Sequence, residues 1–187
     1  MISKIKRIGL TFGLLSILIS FLFFGRQQVI YQVLLLSGFV VTFIFFLAIL
    51  VGKETTKSKI IWTLVVLLAM TIQWLTEPIL IKSSFLIYLN SNHKDLRTVN
   101  NILKDKSGDI FIHNDDVIDN KNLLTQTEKD NLLKLRQELN VYLISKSDNG
   151  IYYGLWGFLD VRIGITYWIK SEKPDKNFKQ LKDNWYQ

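Results

Sequence analysis

The sequence predicts a membrane α-helical protein with three transmembrane helices, followed by a small soluble α+β domain of two layers. The first observation is that the apolar runs Ile8–Gly25, Val29–Gly52 and Ile60–Ile81 contain a single Asp, Glu, Lys or Arg between them, Glu77. The second is that the composition becomes charged and polar after Asn90. The third is that this polar part alternates between helical and strand-like spacing of its apolar residues.

Each apolar run is long enough to cross a membrane. The runs hold 18 residues or more, and a helix that rises about 1.5 Å per residue needs about 20 residues for a hydrocarbon core roughly 30 Å thick. None shows the polar stripe that a helix on a soluble core would carry. We therefore predict a transmembrane region over residues 1–90, with spans at about 8–25, 29–52 and 60–81, and a soluble domain over residues 91–187. The first run ends without a small-x-small cleavage pattern, which favours an uncleaved anchor over a signal peptide.

The distribution of charge indicates the orientation of the chain. The net charge is +7, of which +6 belongs to residues 1–90 and only +1 to residues 91–187. The excess therefore flanks the apolar runs, where basic residues determine topology, and the soluble domain lacks the basic surface that nucleic-acid binding requires. A cytoplasmic N-terminus places six basic residues inside and four outside. We predict a protein integral to the cell (inner) membrane, with a cytoplasmic N-terminus and a periplasmic or extracellular C-terminal domain.

Small residues share one face of the first predicted helix. Gly9, Gly13, Ser16 and Ser20 follow one another at spacings of four, three and four, which stacks them on one side of a helix. In lipid, small residues allow two helix backbones to approach closely. Two interpretations stay open: packing within one three-helix hairpin, or a homo-oligomer formed through this helix.

The third apolar run contains the polar residues of the membrane region. Gln73 and Glu77 lie four residues apart, on one helical face, and Pro78 follows directly. Proline removes a backbone donor, so we expect a kink or a helix end near Glu77. An ionisable side chain at membrane depth is a candidate proton relay or ion ligand. The alternative is a hydrated residue at the outer interface, since Glu77 lies about 25 Å along the helix from Ile60.

For the soluble half, the sequence predicts a mostly antiparallel sheet with helices on one face. Thr125 and Glu128 match a capping box in front of an apolar helical pattern. Residues 161–169 alternate strictly between apolar and other residues, as in a strand with one buried face. The predicted helices cover residues 93–104, 126–139 and a segment after Pro174 with Phe178, Leu181 and Trp185 on one side; the predicted strands cover 109–113, 141–146, 151–155 and 161–169.

The soluble half holds one local concentration of metal-ligand types. His113, Asp115, Asp116 and Asp119 combine an imidazole with carboxylates, which together can hold a divalent cation. Their spacing fits neither an EF-hand loop nor a two-histidine helix motif, so a solvated acidic loop is the alternative. With no cysteine, two histidines and no recognisable catalytic motif, the sequence predicts a protein that is not an enzyme and has no cofactor.

An aromatic segment offers the most suggestive binding surface. Trp156, Phe158 and Leu159 lie in the predicted connection between two strands. If they point inward they belong to the core; if they point outward they can bind a partner protein or the membrane surface.

The sequence thus predicts an integral membrane protein whose extracytoplasmic domain binds a protein partner or ligand, in an accessory, sensor or scaffold role. The alternative is an oligomeric membrane effector or channel-like protein that its soluble domain regulates. The expected partners are the lipid bilayer and a protein, but not nucleic acid.

Overall fold

The computed structural model describes residues 2–158, 161–172 and 174–187 of the chain. The chain divides into two compact units, Met1–Ser84 and Phe85–Gln187. The first unit is helical, and the second combines helices with a sheet. We describe each unit separately.

Three long helices dominate the first part of the chain. Helix α1 covers Ile2–Ser20 and continues into a 3-10 turn, Phe21–Phe23; α2 covers Gln28–Val51; and α3 covers Thr56–Ser91. Within the described residues, these three helices are long and apolar enough to cross a membrane. Many of their large apolar side chains are exposed, as expected for surfaces that contact lipid.

Helix α3 continues through Pro78 and ends at Ser91. The sequence predicts a kink or an end near Glu77, and the structure excludes the end. A break there would leave backbone N–H and C=O groups without partners, and this costs several kcal/mol per group in hydrocarbon. A long apolar helix therefore tolerates a proline that would end a shorter helix in water.

The small-residue face of α1 packs on α2. A methyl group added at Gly13 would lie 2.7 Å from the backbone nitrogen of Thr42 and 3.0 Å from the carbonyl oxygen of Gly38, so the two backbones touch there. Gly9 faces the ring of Phe45 in the same way. Ser16 and Ser20 are buried, and their hydroxyls donate to carbonyl oxygens of their own helix. Within this chain, α2 therefore covers the part of this face that Gly9 and Gly13 form.

The second unit is an α+β domain, which confirms an antiparallel sheet combined with helices. Helix α4 covers His93–Leu103 and α5 covers Gln126–Glu138. The described strands are β1 Ile110–His113, β2 Asp116–Ile118, β3 Leu143–Lys146, β4 Gly150–Phe158, β5 Val161–Trp168, β6 Gln180–Lys182 and β7 Trp185–Tyr186. They form one antiparallel sheet in the order β2-β1-β3-β4-β5-β7-β6.

The register of the sheet shows which face forms the core. Ile112, Ile144, Tyr153 and Ile165 are paired in turn from β1 to β5, and all four are fully buried. Helix α4 meets this face at Tyr153, and α5 packs on α4 and against β1. On the opposite face, Phe111 is 40% exposed. The core therefore lies between the sheet and its two helices.

The predicted capping box of α5 is present. The hydroxyl of Thr125 accepts a hydrogen bond from the Glu128 backbone N–H at 3.2 Å, and the Glu128 carboxylate accepts one from the Thr125 backbone N–H at 2.8 Å. Each side chain thus satisfies a backbone donor that the first helical turn leaves free.

The predicted C-terminal helix is wrong. Residues 180–186 form the β6–β7 hairpin, and Asp183 has a positive φ of 47° in its turn. Leu181 is buried between the exposed Gln180 and Lys182, which is a strand pattern. Pairing of Trp185 with Tyr167 adds this hairpin to the sheet, and those backbone hydrogen bonds outweigh the helix-like spacing of the apolar residues.

Two segments that the sequence analysis treats as loops contain strands. Strand β4 extends to Phe158 with a bulge between Gly154 and Trp156, so the predicted aromatic connection is mostly strand. The acidic segment after His113 forms the β1–β2 hairpin, whose turn includes Asn114 at a φ of 52°. Asparagine tolerates this left-handed conformation better than most residues, which is why the chain reverses there.

Candidate functional site

The acidic residues near His113 lie around the β1–β2 hairpin. His113 and Asp116 are paired across it, Asp115 lies in its turn, and all three are exposed. Asp119 is buried, and its carboxylate accepts the Leu124 backbone N–H at 2.8 Å. Burial alone would raise the pKa of the Asp119 carboxyl, but the backbone N–H groups of Leu123 and Leu124 hold this pKa below its ordinary value. Among the described residues, no group of three or more His, Asp or Glu side chains is arranged to hold a metal ion.

The polar residues that the sequence predicts near the membrane lie towards the middle of α3. Gln73 and Glu77 are both half-buried, and Pro78 is exposed. Glu77 makes no ion pair with any described residue. It lies close enough to Tyr31 of α2 to interact with that phenol electrostatically.

Of the aromatic candidates, Trp156 is half-buried in β4 opposite Ile163. The side chain of Phe158 and the whole of Leu159 lie outside the described residues. Core and partner-binding roles for this segment both stay open.

A cleft that the sequence analysis did not predict lies between α4 and the edge of the sheet formed by β5, β7 and β6. Its volume is about 290 Å³. We call it the α4 cleft, and its lining has an apolar floor with polar and aromatic walls. The lining residues are Leu89, Asn90, His93, Leu96, Arg97, Asn100, Asn101, Lys104, Tyr167, Lys182, Asp183 and Trp185.

Helix α4 supplies the polar wall because its sequence is amphipathic. Leu96, Val99 and Leu103 are buried on one side. The neighbouring stripe runs at spacings of four, three, one and three residues, which keeps its members along one side of the helix. These members are His93, Arg97, Asn100, Asn101 and Lys104.

Asn100 is a lining amide whose side chain is oriented by a hydrogen bond. Asn100 is only 7% exposed, and its Oδ1 accepts a hydrogen bond from the Tyr153 phenol at 2.7 Å. Burial, and then the neighbouring Tyr88 and Tyr167, raise the pKa of Tyr153 well above its ordinary value, so the phenol keeps its proton and donates. The Asn100 Nδ2 group makes no hydrogen bond to the described residues, and we infer that it points its donors into the cleft.

The charges of the cleft are mostly positive and unpaired. Arg97, Lys104 and Lys182 line it, whereas Asp183 is the one carboxylate among the described lining residues. None of the three cations forms an ion pair within the described part of the chain. The lining therefore presents a surplus of positive charge and of hydrogen-bond donors.

Two aromatic rings form the opposite wall. Tyr167 and Trp185 are paired between β5 and β7, with ring centroids 5.2 Å apart. Trp185 also lies 5.6 Å from the buried Tyr153 ring. The wall exists only because residues 180–186 form a hairpin on the sheet. The sequence analysis predicts a helix in this segment and therefore does not predict the wall. The polar stripe of α4 was readable from the sequence, but its aromatic partners were not.

The chemistry of this lining is that of anion binding. Guanidinium and ammonium groups and an oriented amide N–H all donate to oxygen anions, and charge-assisted hydrogen bonds are the stronger kind. A planar aromatic wall adds apolar contact area beside the charged one. No protein-family model, no curated protein and no solved structure matches this chain.

Proposed function

We propose that this chain is an integral membrane protein whose C-terminal domain binds an anionic ligand in the α4 cleft, in an accessory, sensor or scaffold role. The observation that carries the proposal is the buried Asn100 amide, which Tyr153 orients beside three unpaired cations. An amide held in this way provides a donor at a fixed position, and a fixed donor gives a site specificity.

The positive charges support an anionic ligand. Arg97 lies in α4, Lys104 directly follows α4, and Lys182 belongs to the β6–β7 hairpin, so folding brings like charges together. Such convergence raises the electrostatic free energy of the empty domain, and a bound anion lowers it again. The rest of the domain is nearly neutral, with a net charge of +1 over residues 91–187, so this local surplus is a feature of the cleft.

The size of the cleft supports a small ligand or a single acidic side chain of a partner protein. Sites for small molecules usually enclose about 300 to 1,000 Å³, and the cleft lies at the low end with about 290 Å³. A carboxylate or phosphate group of either kind of ligand satisfies the same donors. We further propose, from the excess of basic residues on the predicted cytoplasmic side, that the domain faces the periplasm or the exterior.

Calorimetric titration of the full-length chain in detergent tests this function. The probes are inorganic phosphate and a tetraglutamate peptide. We expect Arg97→Gln to raise the Kd of the bound probe about tenfold, since it removes a charged hydrogen-bond donor. The control is Lys94→Gln, which removes one positive charge from the same helix but outside the cleft lining, and its Kd should stay within about twofold of the unsubstituted chain.

Two outcomes of this experiment contradict the proposal. If neither probe binds the unsubstituted chain, the cleft is not an anion site. If Lys94→Gln weakens binding as much as Arg97→Gln, the anion responds to the overall charge of the helix and not to the cleft.

A further inference from the structure

The first unit has a basic end, where α1 begins and where α2 connects to α3. The ammonium group of Lys6 in α1 lies 2.8 Å from the Glu54 carboxylate and donates to the Ala48 carbonyl oxygen at 2.7 Å. The two charged side chains are only 17% and 11% exposed. This ion pair fastens the start of α1 to the α2–α3 connection, so basic residues from two distant parts of the sequence meet.

The ion pair uses the charge of Lys6 and leaves its neighbours unpaired. Lys4, Arg7, Lys53, Lys57 and Lys59 form no ion pair with any described residue. A cavity of about 570 Å³ opens beside two of them, Arg7 and Lys53. Its lining consists of Lys6, Arg7, Gly52, Lys53, Glu54, Thr55 and Ser58.

The groups that line this cavity are positioned as donors. The Arg7 guanidinium lies over the Trp62 ring, 5.9 Å from its centroid, and a cation–π contact of this kind holds the charge in place. Lys53 is exposed next to it in the lining. Thr55 Oγ1 accepts the Ser58 backbone N–H at 3.3 Å, and neither the Thr55 nor the Ser58 hydroxyl donates to a described residue. Two unpaired cations, two hydroxyls and the Lys6–Glu54 ion pair therefore border one space, and its net charge is positive.

The cavity lies where lipid headgroups are expected. It sits at the ends of three helices that are long and apolar enough to cross a membrane. Trp62, an aromatic type enriched at the boundary between hydrocarbon and water, lies just inside the first turns of α3. Two large apolar side chains beside these residues are exposed. Ile8 directly follows Arg7 and is 68% exposed, and Ile61 directly precedes Trp62 and is 48% exposed. A charged space thus borders an apolar surface, which matches the two parts of a phospholipid.

We propose that this cavity binds the headgroup of an anionic phospholipid, with its phosphate held by Arg7 and Lys53 and by the hydroxyls of Thr55 and Ser58. The acyl chains then lie along the exposed apolar side chains of α1 and α3. Anionic lipids attract basic residues near the membrane surface, and the lining adds hydrogen bonds at fixed positions to that attraction. This site is separate from the α4 cleft and does not depend on it.

The test measures lipid that the full-length chain retains in detergent, by native mass spectrometry, after exposure to phosphatidylglycerol or phosphatidylcholine. We expect the unsubstituted chain to retain phosphatidylglycerol preferentially. The double variant Arg7→Gln, Lys53→Gln should retain about tenfold less of it. The matched control is Lys4→Gln, Lys57→Gln, which removes the same charge outside the lining and should retain amounts within about twofold of the unsubstituted chain.

A further variant keeps every charge. Ser58→Ala removes one hydroxyl that lines the cavity, and we expect it to lower phosphatidylglycerol retention by several-fold while the helical circular dichroism stays unchanged. Equal losses in the two double variants would overturn the proposal, because diffuse attraction depends only on charge. Equal retention of phosphatidylglycerol and phosphatidylcholine would also overturn it. Displacement of the lipid by inorganic phosphate at millimolar concentration would overturn it as well, because it would indicate a site for free anions.

Discussion

The phenol of Tyr153, in the middle of the sheet, donates a hydrogen bond to Oδ1 of Asn100 on α4 at 2.7 Å. Both residues are buried. This bond joins the two layers of the domain at the cleft, and it fixes which end of the Asn100 amide faces the cleft. The same contact therefore serves the core and the proposed binding site.

Tyr153→Phe tests both roles of this contact. The substitution keeps the ring but leaves Asn100 Oδ1 buried without its donor, so we expect the free energy of unfolding to fall by about 1 to 3 kcal/mol. Anion affinity should fall as well, because the amide is no longer oriented. Tyr186→Phe is the control, since its ring is also buried but its hydroxyl bonds to no described residue. Equal melting temperatures for the two variants would show that the Tyr153 bond contributes little.

The pKa of Tyr153 predicts how stability depends on alkaline pH. Burial raises this pKa well above 10.0, its ordinary value. Above about pH 10 the unfolded chain loses this phenol proton while the folded chain keeps it, so the folded state binds more protons and stability falls as pH rises. The loss is about 1.4 kcal/mol per pH unit for one such group. Thermal unfolding between pH 9 and 11 should show a shallower decline for Tyr153→Phe than for Tyr186→Phe, and parallel declines would contradict the prediction.

The packing of α1 on α2 predicts a strong effect of size at Gly13. Gly13→Ile forces the added atoms against the backbone of Thr42, 2.7 Å from its nitrogen, so the helices separate and we expect a loss of folded yield and of melting temperature. The next residue, Leu14, is unsuitable as a control, because it packs against the cluster of Leu10, Ile49 and Val66. Leu15 is 50% exposed and is the better control. Leu15→Ile should behave like the unsubstituted chain in detergent, and equal behaviour of the two variants would remove the packing argument.

The sequence predicts those elements that depend on neighbouring residues. Long apolar runs define the three helices of the first unit, and the Thr125–Glu128 capping box defines the start of α5, because these signals are complete within a few turns. The C-terminal hairpin was missed because Phe178, Leu181 and Trp185 also fit a helix. What decides their structure is the pairing of Trp185 with Tyr167, 18 positions earlier.

The α4 cleft is beyond sequence reasoning for a similar reason. Its polar stripe from His93 to Lys104 is visible as a helical pattern, but a polar stripe alone describes any solvated helix face. The aromatic wall and Lys182 come from strands more than sixty positions later in the chain. Only the folded sheet brings these parts to one cavity.

Substitutions of Trp156 and Trp185 distinguish two possible binding surfaces of the domain, strand β4 and the aromatic wall of the α4 cleft. Full burial of a tryptophan contributes about 3 to 5 kcal/mol to stability, and Trp156 is half-buried, so Trp156→Ala should lower the free energy of unfolding by about 2 kcal/mol. Its anion affinity should not change. Trp185→Ala removes part of the cleft wall, and at temperatures where it stays folded it should lower that affinity. Loss of anion binding in Trp156→Ala, with an unchanged melting temperature, would instead make β4 the binding surface.

The orientation of the chain can be measured with single cysteines, since the sequence contains none. Ser147 is exposed in the turn between β3 and β4, and Lys57 is exposed at the start of α3. With a cytoplasmic N-terminus and three crossings, these two positions lie on opposite sides of the membrane. Ser147→Cys should react with an impermeant maleimide in intact spheroplasts, whereas Lys57→Cys should react only after lysis. The reverse pattern would move the domain and its cleft to the cytoplasm, and the ligand would then have to be an intracellular anion.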